Sequence, residues 1–487
     1  MRTLRVVAGL LLAAVSCTAI PERTVKSAVA PEPAQPWSPP AKAAMPPAPA
    51  EKAAPAIPEE YLKPGTTLSL AQLVDVGLHA NPVTRAAWSS ARAAAAEVGS
   101  KRSLYFPTFE VDGQLLREKT PLGNGPGAFQ LLQTQYGPSV AATWLLFDSG
   151  GREADVEEAT RNLYAANWTH NAAIQDVVLA IAQAYYQYLN AKALVIARQA
   201  SLDEARRSLD SAEERHRAGV ATISDVLQAK TSVSQAELDL QDTQGQVQII
   251  RGSLATAVGV PANLPVDVGD LPSELPLDMV QKTVDELIAK ATADRPDLAS
   301  SRFTALAAQS KIRSVRAEGL PKLSAAASGN RTYFWTAGPD PFSVNYSALL
   351  LLRIPVFTGF DVAYRTQQAK EEADAASATS ERVEDQVILD VWSSYYSMKT
   401  ATQRVHTTRD LLASAKQSAD VADGRYKAGV GSILDLLTTQ ASLASARAEE
   451  VQARSLWFLA VAQLAHATGA LLPRAAEITG AARQEQP

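Results

Sequence analysis

Two stretches of this 487-residue chain contain no proline, one between Pro138 and Pro261 and the other between Pro355 and Pro473. Proline breaks helix interiors, and both stretches are rich in Ala, Gln, Glu, Arg and Leu. Each therefore predicts long helices and little else. The two are also copies. Tyr185-Tyr186 returns 210 positions later as Tyr395-Tyr396. At the same spacing the run Arg215–Leu227, with Ala218-Gly219-Val220 and Asp225, returns as Arg425–Leu437, with Ala428-Gly429-Val430 and Asp435. Leu254-Ala255 and Gly259 match Leu464-Ala465 and Gly469. Upstream the spacing is 214, pairing Pro82 with Pro296 and Pro107 with Pro321, so four positions change between Pro107 and Tyr185, in a variable loop. The chain is one unit of about 210 residues, used twice.

Each copy reads alike. A short helix (about 69–80, or 279–293) ends at Asn81-Pro82 or Arg295-Pro296, and a second runs to about 104 or 318, since proline suits a first helical turn. Pro107 and Pro321 open extended segments of period two. Phe109, Val111 and Leu115 alternate with Glu110, Asp112 and Gln114. Tyr136, Val140, Ala142, Trp144 and Leu146 alternate with Gln135, Ser139 and Thr143. Leu323, Ala325 and Ala327 oppose Lys322, Ser324 and Ser328. Phe342, Val344, Tyr346, Ala348, Leu350, Leu352, Ile354 and Val356 oppose Ser343, Asn345 and Ser347. Loops at Pro121–Gly127 and Gly338–Pro341 join them into two hairpins with one apolar and one polar face. Helices of about 150–217 and 221–259 follow the first hairpin. Gly219 and Gly429 are natural left-handed caps at their turns. Ile174, Val178, Ile181, Tyr185 and Tyr188 form a coiled-coil stripe, as do Ile388, Val391, Tyr395 and Met398.

Four strands cannot close a membrane barrel, because open edges would leave backbone groups unpaired in lipid. Either they form a water-facing sheet or several chains pool strands. The cluster Tyr333, Phe334, Trp335 and Phe342 favours pooling, since it suits an interfacial aromatic girdle.

The first residues point to export. Arg2 and Arg5 precede the apolar run Val6–Val15, too short to span a membrane, and Ala14-Val15-Ser16 lead into Cys17. This resembles a lipoprotein signal, which implies cleavage after residue 16 and acylation of Cys17; Thr18 after it is compatible with the outer membrane. Residues 21–64 hold 12 of the 28 prolines and read as an extended tether.

Other classes are excluded by what is missing. The net charge of -5 is wrong for a nucleic-acid binder. A single cysteine and five scattered histidines offer no metal site, and no cofactor or nucleophile motif is present, so no enzyme is expected. Beyond the leader, no run is long and apolar enough for a spanning helix.

Taken in order and twice over, several motifs make residues 66–470 resemble the TolC-type outer-membrane efflux proteins, on their lipoprotein branch. They are Leu70 with Asn81-Pro82, Arg295-Pro296-Asp297-Leu298, Phe147-Asp148 with Gly150-Gly151-Arg152, Pro355-Val356-Phe357-Thr358-Gly359, and the two Arg-x-x-Ala-Gly-Val turns followed by Asp225 and Asp435. The resemblance implies a mainly α fold with a β-barrel part. Three chains would pool a twelve-stranded outer-membrane barrel, continued by a helical barrel in the periplasm. It implies a passive conduit served by a periplasmic adaptor and an inner-membrane pump, for small-molecule efflux or, alternatively, as the exit duct of type I protein secretion. A third reading, a periplasmic coiled-coil adaptor, shares the lipoprotein signal and long helices but would carry one helical hairpin flanked by lipoyl-like halves rather than two copies of the unit. The expected divisions are a signal peptide (1–16), tether (17–65), first repeat (66–270), second repeat (271–472) and tail (473–487). The implied gate is at the helical tip: Tyr426, Leu434 and Asp435, with Asp225 as the first-copy equivalent, around the turns Gly219 and Gly429. Thr438 and Gly431 depart from the acidic and basic residues that relatives often carry there. Both aspartates also sit where a carboxylate offsets a helix dipole.

Overall fold

The structure, a computed structural model, describes residues 66–122, 129–272, 274–277, 282–335 and 342–471. The leader, Cys17, the tether, the C-terminal tail and both hairpin tips lie outside them. Each copy runs helix, helix, strand, strand, long helix, helix. The first consists of α1 (Leu70–Ala80), α2 (Pro82–Ser103), β1 (Thr108–Leu122), β2 (Phe129–Phe147), α3 (Gly151–Arg217) and α4 (Ile223–Val258). The second consists of α5 (Val284–Asp294), α6 (Pro296–Ala317), β3 (Lys322–Trp335), β4 (Phe342–Arg353), α7 (Asp361–Lys427) and α8 (Ile433–Ala467).

Local signals set these limits. Ser69 with Gln72, Thr222 with Asp225 and Thr283 with Glu286 form reciprocal capping boxes at the starts of α1, α4 and α5. Pro82 and Pro296 occupy first-turn positions of α2 and α6. At the far ends of α3, α4, α7 and α8, a glycine at φ +74°, +91°, +78° and +71° turns the chain. The next N–H then reaches five residues back, as in Val220 to the Arg215 carbonyl at 2.9 Å and Val430 to Arg425 at 3.0 Å. The 214-to-210 change falls inside the hairpins, because β1 and β3 start 214 apart while α3 and α7 start 210 apart.

Six of the helices form a layer, with α3 and α7 passing through it, while α1 packs across α3 and α4 and α5 packs against α7. Towards the sheet the packed order is α2, α3, α6, α7; away from it the order is α4, α3, α8, α7. The short helices thus meet end to end, α2 above α4 and α6 above α8. At one joint the Asn81 side chain donates to the Ala257 carbonyl at 3.0 Å and accepts from Val83 N–H. At the other, the buried Arg295 guanidinium bridges Asp297 at 2.6 Å and Asp390 at 2.8 Å. Burial opposes the shift, but the bonds and charge of Arg295 still hold the Asp297 carboxyl below the usual range.

Gly259 makes the first joint possible. A Cβ there would stand 2.7 Å from the Asn81 Cα, a backbone atom that cannot step aside, and the φ is left-handed as well. Around Gly219 a Cβ meets nothing within 4 Å. Gly219→Ala is therefore expected to cost about 1–2 kcal/mol from the backbone alone. Gly259→Ala adds overpacking of about 1–3 kcal/mol to that. Thermal unfolding of the two variants checks the order; equal losses would mean the joint yields.

One core cluster joins Leu73, Ile181, Tyr188, Leu189, Leu254 and Val258 in the first copy, and another joins Leu298, Val387, Val391, Met398, Val405 and Trp457 in the second. The expected second-copy stripe shifts by one position at its start. Val387 is fully buried and Ile388 is exposed, because the face turned towards α5 and α8 runs 387, 391, 398, 405.

The strands form one antiparallel sheet in the order β1-β2-β3-β4, so β1 and β4 are its open edges. β4 stops at Arg353, short of Ile354 and Val356, where Pro355 has no N–H for the ladder. Among the described residues, no helix packs across either face of the sheet.

Candidate functional site

The register turns the alternation of each strand into two whole faces. Phe109 stands across from Ala142, Val111 from Val140 and Leu115 from Tyr136. Trp144 faces Ala325, which faces Leu350; Ala327 faces Ala348 and Tyr333 faces Phe342. All these side chains point one way, and Tyr346 is 91% exposed, Val111 76% and Phe109 72%. The opposite face carries Glu110, Asp112, Ser139, Thr143, Ser324, Ser328, Asn330, Ser343, Asn345 and Ser347. Its hydroxyls pair across strands, Ser328 with Ser347 at 2.9 Å and Thr108 with Thr143 at 2.7 Å. A single-layer sheet with one greasy face, one wet face and two unpaired edges suits a wall between lipid and water.

The band is bounded by rings. Tyr136 stacks on Tyr333 at 5.3 Å, with Phe342 beside it, at the hairpin end. Exposed Phe106, Trp144, Phe147, Phe357 and Phe360 mark the helix end. Some ten residues of β3 separate the two levels, which at about 3.3 Å per residue and a tilt of 35–45° is about 25 Å, the height of a barrel's apolar band.

A buried charge pair joins sheet to helices. Arg152, in the first turn of α3, donates to the carbonyls of Leu104 at 3.2 Å, Leu145 at 2.6 Å and Leu146 at 3.0 Å. Its guanidinium lies 4.7 Å from the Tyr105 ring, and Nε stands 3.4 Å from Asp148 Oδ1. Asp148 Oδ2 accepts from the Arg152 N–H at 2.6 Å. The left-handed pair Ser149 and Gly150 brings these groups together. The Phe-Asp-x-Gly-Gly-Arg motif is this joint.

At the other end, both hairpin turns share a small core of Ala212, Ala229, Tyr426, Ile433 and Leu436. The gate residues read from the sequence divide here. Tyr426 is only 4% exposed. Arg215 lies over its ring at 4.9 Å and donates to its carbonyl at 3.0 Å, so Tyr426 is turned into the chain. Burial pushes its phenol up, with Arg215 opposing and Asp225 adding to the rise. Leu434 and Asp435 are exposed and share a face of α8 with Thr438, opposite buried Ile433 and Leu436. The two aspartates also differ. Asp225 turns back on its own cap and accepts from Thr222 N–H at 2.9 Å. Asp435 uses its N–H towards Ser432 Oγ at 3.1 Å, and its carboxylate has no partner among the described residues. The sequence motif does not single out Arg215 as the residue that covers Tyr426, although it stands first in the repeated turn motif.

The comparisons agree with this geometry. A family model described as outer membrane efflux protein matches residues 73–260 and 287–470. The chain is 28% identical over 436 residues to protein CyaE of Bordetella pertussis, covering 86% of this chain and 90% of that one. It is 24% identical to the antibiotic efflux pump outer membrane protein ArpC of Pseudomonas putida, over 78% of each. Among solved structures, the outer membrane protein VceC of Vibrio cholerae aligns with TM-score 0.70 at 21% identity, covering 82% of this chain and 96% of that one. By sequence, repeat and fold, the chain belongs to the outer membrane efflux protein family, whose members are passive channels rather than enzymes.

Proposed function

We propose that this chain is the exit duct through which a pump expels small molecules across the outer membrane. As in its family, three copies work together, pooling four strands each into a twelve-stranded barrel. The helical part extends into the periplasm towards an adaptor and an inner-membrane pump. One observation carries the reading most directly: among the described residues, a sheet with both edges unpaired and an uncovered apolar face, continuous with a layer of long helices. A wall of this kind has a wet side only when closed on itself. The hydroxyl and amide side chains of its polar face suit passage without tight binding. The duct is held additionally by acylation at Cys17, with residues 17–65 as the tether. Deleting the gene tests the cargo. Intracellular build-up of pump substrates supports the reading, whereas loss of a secreted protein with drug tolerance unchanged replaces it by the protein exit duct.

The narrow end is set on α8. Threefold symmetry would bring three copies of Leu434 and Asp435 near one axis, where a carboxylate ring attracts cations. Asp435→Ala is expected to reduce cation preference in planar-bilayer recordings, and Leu434→Ala to raise conductance. Asp225→Ala should leave selectivity nearly unchanged and instead cost about 0.3–1 kcal/mol, through the carboxylate lost from the first turn of α4 and its bond to the Thr222 N–H. Unaltered selectivity in Asp435→Ala, with the trimer intact, would leave that residue only its place in the helix dipole.

A further inference from the structure

The apolar face of the sheet is not uniformly apolar. By strand parity it carries Arg117, Lys119 and Arg331, all exposed, all near the hairpin end, and no acidic residue among the described positions. The acidic residues of the strands, Glu110, Asp112 and Glu118, have the opposite parity and lie on the polar face. This sorting is sharper than solubility requires.

Arg331 is the informative member. It stands across from Val344, within the apolar band, where a barrel tolerates a cation poorly. Its guanidinium extends along the sheet, 5.1 Å from the Tyr333 ring centroid and 4.1 Å from that of Phe342. The stem thus follows the apolar surface while the charge rises to the aromatic girdle, as a snorkelling side chain does. The rings occupy only its π faces. The side chain of neither Arg331 nor Arg117 has a hydrogen bond or carboxylate partner among the described residues. By contrast, Arg152, Arg295, Arg365 and Arg447 all have one. An arginine presents its donors as a planar fork that fits phosphate oxygens.

Arg117 lies across from Thr134, and Thr134 across from Trp335, four residues along β3 from Arg331. Two strand spacings sideways and four residues along put the two Cα atoms about 17 Å apart. With Tyr136 and Tyr333 between them and Phe342 on the far side of Arg331, the pair frames a patch at the depth where lipid headgroups begin.

We infer that Arg331 and Arg117, over the Tyr136–Tyr333–Phe342 ladder, form a binding site on the outside of the barrel for the phosphate groups of an outer-leaflet lipid. The acyl chains would lie along Val344, Tyr346 and Val140, and the rings would meet the sugar or glycerol region. Charge complementarity selects the ligand, since the face offers two unpaired forks and a lysine to an anion in a layer that water does not screen fully. The inference rests on the apolar face meeting lipid, but not on the cargo or the gate.

The test is native mass spectrometry of the purified full-length trimer released from detergent containing lipid A, a glycolipid with two phosphates. Wild type is expected to retain the lipid. Arg331→Gln with Arg117→Gln should retain at least tenfold less, and Arg353→Gln on the polar face should retain as much as wild type. The trimer peak in each spectrum shows that the variant has folded. Dephosphorylated lipid A should be retained by none of them. Excess inorganic phosphate should not displace the lipid, because the chains hold it too; displacement would mean a free-anion site instead. Equal retention of lipid A by wild type and the double variant overturns the proposal. If every variant loses the lipid because the apolar face does not meet the membrane, Tyr346→Arg will also leave trimer stability untouched, which separates the two failures.

Discussion

Arg152→Ala is expected to cost about 3–5 kcal/mol and to free the sheet from the helices beneath it. The side chains of Arg152 and Asp148 are each only 10% exposed, so removing the cation leaves a carboxylate buried and unpaired. Three carbonyls at the ends of α2 and β2 lose their donor in the same step. Acceptors left without their donor in this half-buried joint add to the loss. Arg152→Lys should recover only part of it, because one ammonium cannot reproduce a fork that serves three carbonyls and a ring. The measurement is heat resistance of the folded trimer on unheated gels, with the yield of inserted protein alongside. A variant as heat-resistant as wild type would show that the strands and helices hold together through their packing alone.

Tyr346→Arg is expected to cost about 2–4 kcal/mol in each chain, and the symmetry of the trimer repeats the loss three times. Tyr346 lies about midway along the apolar band, across from Gly329, and no described residue covers it. Ser347→Arg sits at the same depth but points to the opposite face, where water can receive the charge. It should cost little beyond the Ser328–Ser347 hydrogen bond. The pair is a depth-matched comparison, so a difference in urea resistance between them reports the face alone. If both variants unfold at the same urea concentration, the apolar face does not meet lipid.

Much of this was legible beforehand because it depends on short-range chemistry. Glycine at positions 219 and 429 is needed where an L side chain would meet its own carbonyl, and the repeat exposes the pattern twice. Strand alternation is a period-two property, so the faces could be assigned before the register was known. The register then added what alternation cannot, namely that the apolar sides of four strands merge into one surface. Apolar alternation extends β4 past Arg353, whereas Pro355 ends the ladder by lacking a donor. Ile388 was misplaced because 4-3 spacing fits two adjacent helical stripes almost equally well, and only packing against α5 and α8 selects Val387.

At the tip the division is clearest. The sequence alone determined that the chain is a duplicated unit of long helices and hairpins, that its strands cannot stand alone in a membrane, and that two equivalent aspartates follow two equivalent turns. These are statements about periodicity, propensity and unpaired backbone, which are local. Only the tertiary structure decided that Tyr426 points inwards under Arg215, that Asp225 is occupied by its own cap, and that Asp435 is left free on the exposed face of α8. Equal residues in equal repeats acquire different environments because each copy packs against the other from a different side, and that asymmetry exists only once the two copies meet.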